Sequence, residues 1–384
     1  MNVRRLVTGL GAAAALVLHV LPWGLSRGNS PVEFVVQPSL PPAATNTAPV
    51  FREETLPSGN NAPSVHVASL CEPSPGLLAA AWYGGSREGA RDVAVFFATR
   101  NRQGWTEPVS VVTADSARRE LGHYVRKVGN AVVFADSTGK VSLLYVAIAV
   151  GGWSGSSLCL KESFDRGRTW TPSRRLILSP TFNISDLVKN GPTPLVGGGW
   201  AVPIYQELLG KFPEVLWLDS PAISARAVRT RVFGGRTAFQ PTLVALDRQR
   251  AVMLCRTAGD QLDMFTSRTE DAGASWSPPQ PSGLPNSNSG IDAVRLQDGR
   301  LLLAFNDTTS GRANLRLAIS RDDGKTWQHG PFLADEPGAE FSYPFLIQGR
   351  DGMIHLAYTW KREAIKVVSF NARWLDASAN GQRP

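Results

Sequence analysis

Three copies of one octapeptide pattern, S/T-x-D-x-G-x-S/T-W, each preceded by an apolar run of strand length, predict an all-β chain folded as a six-bladed β-propeller. The copies are SFDRGRTW (Ser163 to Trp170), TEDAGASW (Thr269 to Trp276) and SRDDGKTW (Ser320 to Trp327). Their aspartates, Asp165, Asp271 and Asp322, stand 106 and 51 residues apart, and 106 is twice 53. The unit is therefore a little over fifty residues long, with one copy missing near position 218 and a degenerate one, TRNRQGW, at Thr99 to Trp105. An Asp and a Gly separated by one residue suit a tight hairpin, because Asp accepts turn N–H bonds and Gly supplies positive φ. The tryptophan then packs back under the turn. The runs VAVFFATR, VSLLYVAIAV, AVMLCRTA and RLLLAFND precede the four hairpins in order, so each unit is a small antiparallel sheet of about four strands. From His66 to Lys366 the chain holds 301 residues, close to six such units arranged radially.

The remaining segments follow in chain order. Residues 1–30 read as a signal peptide or an N-terminal membrane anchor: Arg4 and Arg5 precede a mostly apolar run over residues 6–21, ended by Pro22. Residues 31–61 are rich in Pro, Ala, Ser, Thr and Asn and read as a linker, residues 62–375 as the propeller, and 376–384 as a tail. An exported location follows, whether periplasmic, secreted or anchored. The net charge of +8 favours anionic partners, but the basic residues form no blocks, so no nucleic-acid footprint is visible. The three cysteines, Cys71, Cys159 and Cys255, are far apart and odd in number, which excludes a disulfide framework and zinc spacing. No phosphate loop, nucleotide fingerprint or metal motif is present, and no cofactor is expected. The oligomeric state is open.

The three aspartate hairpins at this spacing resemble those of the sialidase superfamily, the Asp-box or BNR repeat proteins. The stretches AAWYGGSREGARDVAVFF, VRKVGNAVVF, LPNSNSGIDAVRLQDGRLLLAFN and FSYPFLIQGRDGMIHLAYTWKREAIKVV are similar to its bacterial branch, over roughly residues 63–370. The resemblance implies an exo-α-sialidase type of glycoside hydrolase. In that family three arginines hold the sugar carboxylate, a Tyr–Glu pair supplies the nucleophile and an Asp is the acid/base. Arginine suits a carboxylate because its planar fork meets both oxygens. A tyrosine nucleophile approaches an anionic sugar with less repulsion than a carboxylate would. By this resemblance Tyr343 is the nucleophile, Arg256 the second arginine and Arg312 the third. His66 stands where the first arginine is expected, and Gln240 where the glutamate partner of the tyrosine is expected. Glutamine cannot take the phenolic proton. Glu207 could enter the site from the preceding blade, and Glu88 and Asp92, four apart in a loop after WYGG, are the acids for the acid/base role.

Other residues are candidates on their own chemistry. Arg126 and Lys127 are adjacent cations able to meet an anionic substrate. Asn130 either orients hydroxyls or closes a turn. Asn286, Asn288, Ser289 and Asp292 share one loop whose amides and carboxylates suit sugar hydroxyls, or build turns. Arg362 and Lys366 read as edge-strand charges. Tyr343 alternates with Phe341 and Phe345, which places all three on one face of a strand. Three functions compete. The first is a sialidase-like glycoside hydrolase on a terminal anionic sugar of a glycan or polysaccharide. The second is a non-catalytic carbohydrate-binding propeller. The third is a uronate polysaccharide lyase using His66 and Tyr343 as proton carriers.

Overall fold

The computed structural model describes Ala14 and residues 32–36, 48–101, 103–179, 183–218, 228–234 and 237–379. The described strands form six antiparallel sheets in a ring, the six-bladed propeller expected. β1 (Phe51–Thr55) comes first in the chain but belongs to the last blade. Blade 1 holds β2 (Ser64–Ser74), β3 (Leu77–Gly85), β4 (Ala94–Asn101), β5 (Gly104–Trp105) and β6 (Val109–Thr113), followed by the helix α1 (Ala114–Leu121). Blade 2 holds β7 (Lys127–Ala135), β8 (Val141–Ile148), β9 (Ser156–Ser163) and β10 (Arg174–Arg175). Blade 3 holds β11 (Leu187–Val188), β12 (Thr193–Pro194), β13 (Trp200–Gln206), β14 (Phe212–Leu218) and β15 (Val228–Arg231). Blade 4 holds β16 (Ala238–Ala245), β17 (Ala251–Thr257), β18 (Asp263–Thr269) and β19 (Gln280–Pro285). Blade 5 holds β20 (Asp292–Arg295), β21 (Leu301–Phe305), β22 (Asn314–Ser320) and β23 (Gln328–Asp335). Blade 6 holds β24 (Phe341–Gln348), β25 (Ile354–Trp360) and β26 (Ala364–Phe370), with β1 as its outer strand and α2 (Ala372–Ala379) behind it.

Sheets that pack face to face bury both surfaces, so the inner strands read as apolar runs rather than alternating ones. All eight residues of β8 are buried. The apolar clusters lie between blades: one joins blades 1 and 2, others join 3 and 4, 4 and 5, and 5 and 6. The largest bridges blades 2 and 3 and also closes the ring from blade 6 to blade 1.

The aspartate hairpins join the third and fourth strands of blades 2, 4 and 5. In the first, Asp165 Oδ1 accepts from Ser163 Oγ and Thr169 N at 2.8 Å each, and Asp165 Oδ2 accepts from the Thr169 hydroxyl at 2.6 Å. The same bonds recur at Asp271 and Asp322. Glycine is not alone in the left-handed region: Arg166, Ala272 and Asp323, each just before its glycine, have φ of 63°, 53° and 61°. The place near position 218 where a copy is missing borders residues 219–227, which lie outside the described residues.

Two boundaries are corrected. The stretch read as linker supplies β1, which pairs from Phe51↔Phe370 to Thr55↔Lys366, and Phe34 is wholly buried against blade 3. Composition hid both, because a lone apolar residue or a five-residue strand does not alter a Pro/Ala-rich average. The tail read from residue 376 is the end of α2, anchored by buried Leu375 and by an ion pair from Asp376 to Arg300. The N-terminal apolar run lies outside the described residues apart from Ala14, and among the described residues no helix is long and apolar enough to cross a membrane.

The first strands of blades 1, 2, 4 and 6 each carry a bulge near their start, at His66/Ser69, Gly129/Val132, Phe239/Thr242 and Ser342/Phe345. A bulge re-aims side chains and bends the strand. Within these four bulges sit Val67, Asn130, Gln240 and Tyr343, with φ of 49°, 41°, 47° and 53°. The bulge also overturns the expected alternation in β24. Phe341 and Phe345 are each 2% exposed but pack on opposite faces of the blade, toward blade 5 and toward blade 1, while Tyr343 is only part-buried and packs against the cluster of blades 1 and 2.

Candidate functional site

In each blade the second-to-third strand turns share one end of the ring, and the aspartate hairpins occupy the other. The site lies at the first of these ends. From blade 6 comes Tyr343, whose hydroxyl lies 3.0 Å from Arg256 Nη1 of blade 4. The same nitrogen donates to Gln240 Oε1 at 2.7 Å, while Arg256 Nε donates to Asn288 Oδ1 at 2.8 Å. Arg256 is nearly buried, and its guanidinium lies 4.8 Å from the Phe239 ring centroid. Arg312 stands over the Tyr343 ring at 5.3 Å, donates to the Asn288 carbonyl at 3.2 Å and pairs with Glu340 at 3.1 Å. Asn288, itself left-handed at φ 59°, thus positions both arginines.

A third guanidinium reaches the same cluster. Arg362, in the turn between β25 and β26, donates to Glu340 at 2.7 Å and to Glu88 of blade 1 at 2.5 Å. The reading of Arg362 as an edge charge is therefore corrected: it bridges the seam between the last and first blades. Glu88 lies 3.5 Å from the Tyr83 hydroxyl. Glu340 was not singled out from sequence. Burial raises its carboxyl, but the Arg362 and Ser342 hydrogen bonds and the charges of Arg362 and Arg312 prevail and hold it at about 2.

The electrostatics at Tyr343 point the same way. Burial alone would raise the phenol, yet Arg256 and Arg312 outweigh it and the pKa falls below the ordinary tyrosine value. Tyr83 and Tyr205 go the other way, raised chiefly by burial. His66 meets Tyr343 edge-on, with ring centroids 4.6 Å apart, and among the described residues neither ring nitrogen has a hydrogen-bond partner. Burial first, then the Arg362 charge, hold its pKa well below the usual histidine value, so the imidazole is neutral. Gly290 packs so closely on Tyr343 that a Cβ there would lie 2.9 Å from the ring. Any side chain at 290 would displace the tyrosine.

Four candidates lie elsewhere. Glu207 makes its closest ion pair with Lys211 at 3.9 Å; its charge acts on Tyr205, whose hydroxyl accepts from Gln240 and Asn130 at 3.1 Å each. Asp92 closes its own loop on Ser86, accepting from its N and Oγ at 2.8 and 2.9 Å. Asp292 is buried and ties blades together through Thr242 Oγ1 and Leu346 N, at 2.6 and 2.7 Å, with buried Lys189 nearby. Arg126 is exposed and lines a separate cavity with Arg91, Arg118 and Tyr124. Glu340 had one sequence signal, an acid three residues before the tyrosine. Arg362 had none, because its role depends on Glu88, 274 residues away.

Three arginines gathered round an axial tyrosine give this six-bladed propeller an electropositive centre at one end of its ring. The sequence matches the family model of the BNR repeat-like domain over residues 76–356, most of its length, and the chain belongs to that family. Among solved structures it is similar to a protein of unknown function from Dyadobacter fermentans, at 13% identity and a TM-score of 0.67, covering 84% of this chain and 99% of that one. A Hadza microbial sialidase aligns at 16% identity and a TM-score of 0.65, covering 82% and 67%. The intramolecular trans-sialidase from Ruminococcus gnavus, solved with oseltamivir carboxylate, aligns at 15% and 0.63, covering 84% and 98%. Identities this low show a shared scaffold. No curated protein matches the sequence.

Proposed function

We propose that the chain is an exported, sialidase-type glycoside hydrolase acting on a terminal anionic sugar, with Tyr343 as nucleophile. One observation carries this reading: the Tyr343 hydroxyl sits 3.0 Å from Arg256 Nη1 and beneath Arg312, and these cations lower its pKa despite burial. A phenol beside a carboxylate partner would lose its proton to that partner; here the guanidiniums favour the phenolate directly. Among the described residues Arg312 and Arg362 pair with Glu340 and Glu88 and Arg256 has no ion pair, so while Tyr343 keeps its proton the three guanidiniums leave an excess of one positive charge for one ligand carboxylate. In this reading the phenolate oxygen attacks the anomeric carbon and the glycosidic C–O bond breaks. The phenolic proton passes to Glu88 as the phenolate forms, the leaving oxygen takes that proton from Glu88, and water, losing its proton to Glu88, then displaces the tyrosinate and releases the sugar. Glu88 is tied to Arg362, and a ligand carboxylate that takes over that guanidinium frees it to carry the proton. Export rests on the basic start and apolar run at residues 4–21.

The test is turnover of a fluorogenic sialoside by the purified protein and by Tyr343→Phe. The variant is expected to lose at least about a thousandfold in kcat while still binding the sugar. No turnover by the native protein would overturn the hydrolase reading. A second reading is favoured by Gln240, an amide that accepts from Arg256 and cannot act as a base. It makes the chain a carbohydrate-binding propeller, and binding without turnover would select it. An unsaturated, ultraviolet-absorbing product from a uronate polymer would instead select a lyase using neutral His66.

A further inference from the structure

The cavity lined by Arg91, Ala114, Asp115, Arg118, Tyr124 and Arg126, about 550 Å³ in volume, has no part in the chemistry above. It lies between blades 1 and 2, roofed by α1, which follows the outer strand of blade 1. Connections leaving a fourth strand share an end of the ring with the turns between second and third strands. The cavity therefore opens on the face that carries Tyr343. The loop 86–93 joins the two places. It sends Glu88 to Arg362 in the axial site, passes Gly89 beside the Lys127 ammonium and puts Arg91 into the cavity lining. Three residues of chain span at most about 11 Å, so the two places are neighbours.

The cavity is electrically unbalanced. Arg118 is occupied, donating to Asp115 Oδ1 and to the Val125 carbonyl at 2.9 Å each. Arg91 and Arg126 have no side-chain hydrogen bond or ion pair among the described residues. Three guanidiniums against one carboxylate leave an excess of two positive charges, in a concave place where they reinforce one another. Lys127 continues the strip toward the axis, its ammonium 5.2 Å from the Trp153 ring centroid. Tyr124, half exposed on the rim with Arg118 over its ring at 5.3 Å, offers a flat face of the kind that sugar rings pack against.

We propose that this cavity is a second anion subsite, which holds an inner acidic unit of the same glycan whose terminal acidic sugar enters the axial site. The substrate class is then a polyanionic oligosaccharide or polysaccharide rather than a glycan with a single acidic terminus. This rests on the axial reading above, and the experiment separates the two.

Calorimetric binding of monomeric and tetrameric sialic acid is compared for the native protein, for Arg91→Ala/Arg126→Ala and for Arg256→Ala. The Arg91 and Arg126 side chains make no hydrogen bond or ion pair among the described residues, so the double variant is expected to fold normally. It should lose roughly tenfold to a hundredfold in affinity for the tetramer and none for the monomer. Its tetramer affinity should also depend less on salt. Arg256→Ala should weaken both ligands. Equal affinity of the native protein for monomer and tetramer, or an unaffected double variant, overturns the subsite and leaves the axial reading standing. Loss of tetramer binding in the double variant, with Arg256→Ala silent, overturns the axial reading and with it the pairing of the two places on one glycan, leaving the cavity an anion site by itself. If neither ligand binds, both fall. Vesicles of anionic lipid that compete with the tetramer through Arg91 and Arg126 would assign the cavity to a membrane surface and overturn its role as a glycan subsite.

Discussion

At the scale of single residues the site is an exercise in which charge reaches which proton. Tyr343 differs from the other buried phenols in having two guanidiniums over it. Burial raises Tyr83, Tyr145, Tyr205 and Tyr358 above the ordinary range, and Arg256 and Arg312 pull Tyr343 below it. For a phenol the charged form is the deprotonated one, so a lowered pKa means ionisation at lower pH. In an ultraviolet titration of the folded protein, Tyr343 is therefore expected to ionise ahead of those four. The early step should vanish in Tyr343→Phe and move to higher pH in Arg256→Gln. An unshifted step in Arg256→Gln would show that Arg256 does not set the charge of the phenol. Tyr343, Arg256 and Arg312 were legible in the sequence because each keeps a fixed place before or after an aspartate hairpin. Arg362 was not, since it meets Glu88 only when the ring closes, and Glu340 was not, since its hold on Arg312 and Arg362 comes from turns that the sequence does not place side by side.

At the scale of the element, two local devices divide the work. Bulges at the start of four inner strands turn selected side chains toward the axis, which strict alternation would have kept in the core. A sequence in which Phe341, Tyr343 and Phe345 alternate gives no sign of such a slip, because positive φ at a tyrosine leaves no compositional mark. The aspartate hairpins, by contrast, are fully legible, since the aspartate and the hydroxyl residues on either side of it hydrogen-bond to one another within eight residues. They stand at the end of the ring away from Tyr343, which makes their role one of stability. Asp271→Ala removes the acceptor for Thr269 Oγ1, Ser275 N and Ser275 Oγ. The expected cost is about 1–2 kcal/mol, seen as a lower midpoint in thermal unfolding, with ligand affinity at the axial site unchanged. A matching loss of affinity in the folded variant would mean that the hairpins act on the site as well.

At the scale of the whole molecule, the ring has no free edge inside it, and one seam determines whether it holds. Blade 6 takes β24, β25 and β26 from the end of the chain and β1 from its beginning, so N-terminal residues fasten the ring. β1 pairs along five residues with β26, Phe51 stacks on Trp374 at 4.6 Å, Glu54 pairs with Arg100 of blade 1, and Leu56 is buried in the cluster that spans the seam. The same blade carries Glu340, Tyr343 and Arg362, and Arg362 crosses the seam to Glu88. Closure and site assembly are therefore one event. A chain beginning at residue 57 lacks the outer strand and leaves β26 as an unpaired edge, open to pairing with other chains. At roughly 0.5–1.5 kcal/mol per ladder bond, losing β1 costs on the order of 3–5 kcal/mol, a large share of an ordinary domain's stability. That truncation is expected to melt earlier and less cooperatively, to aggregate on warming and to lose affinity for an anionic sugar. A chain beginning at residue 32 keeps β1 and Phe34 and should match the full chain in both measurements. If the chain from residue 57 binds as tightly as the one from residue 32, the blade 6 side of the site is set by its own turns, and closure by β1 serves stability alone.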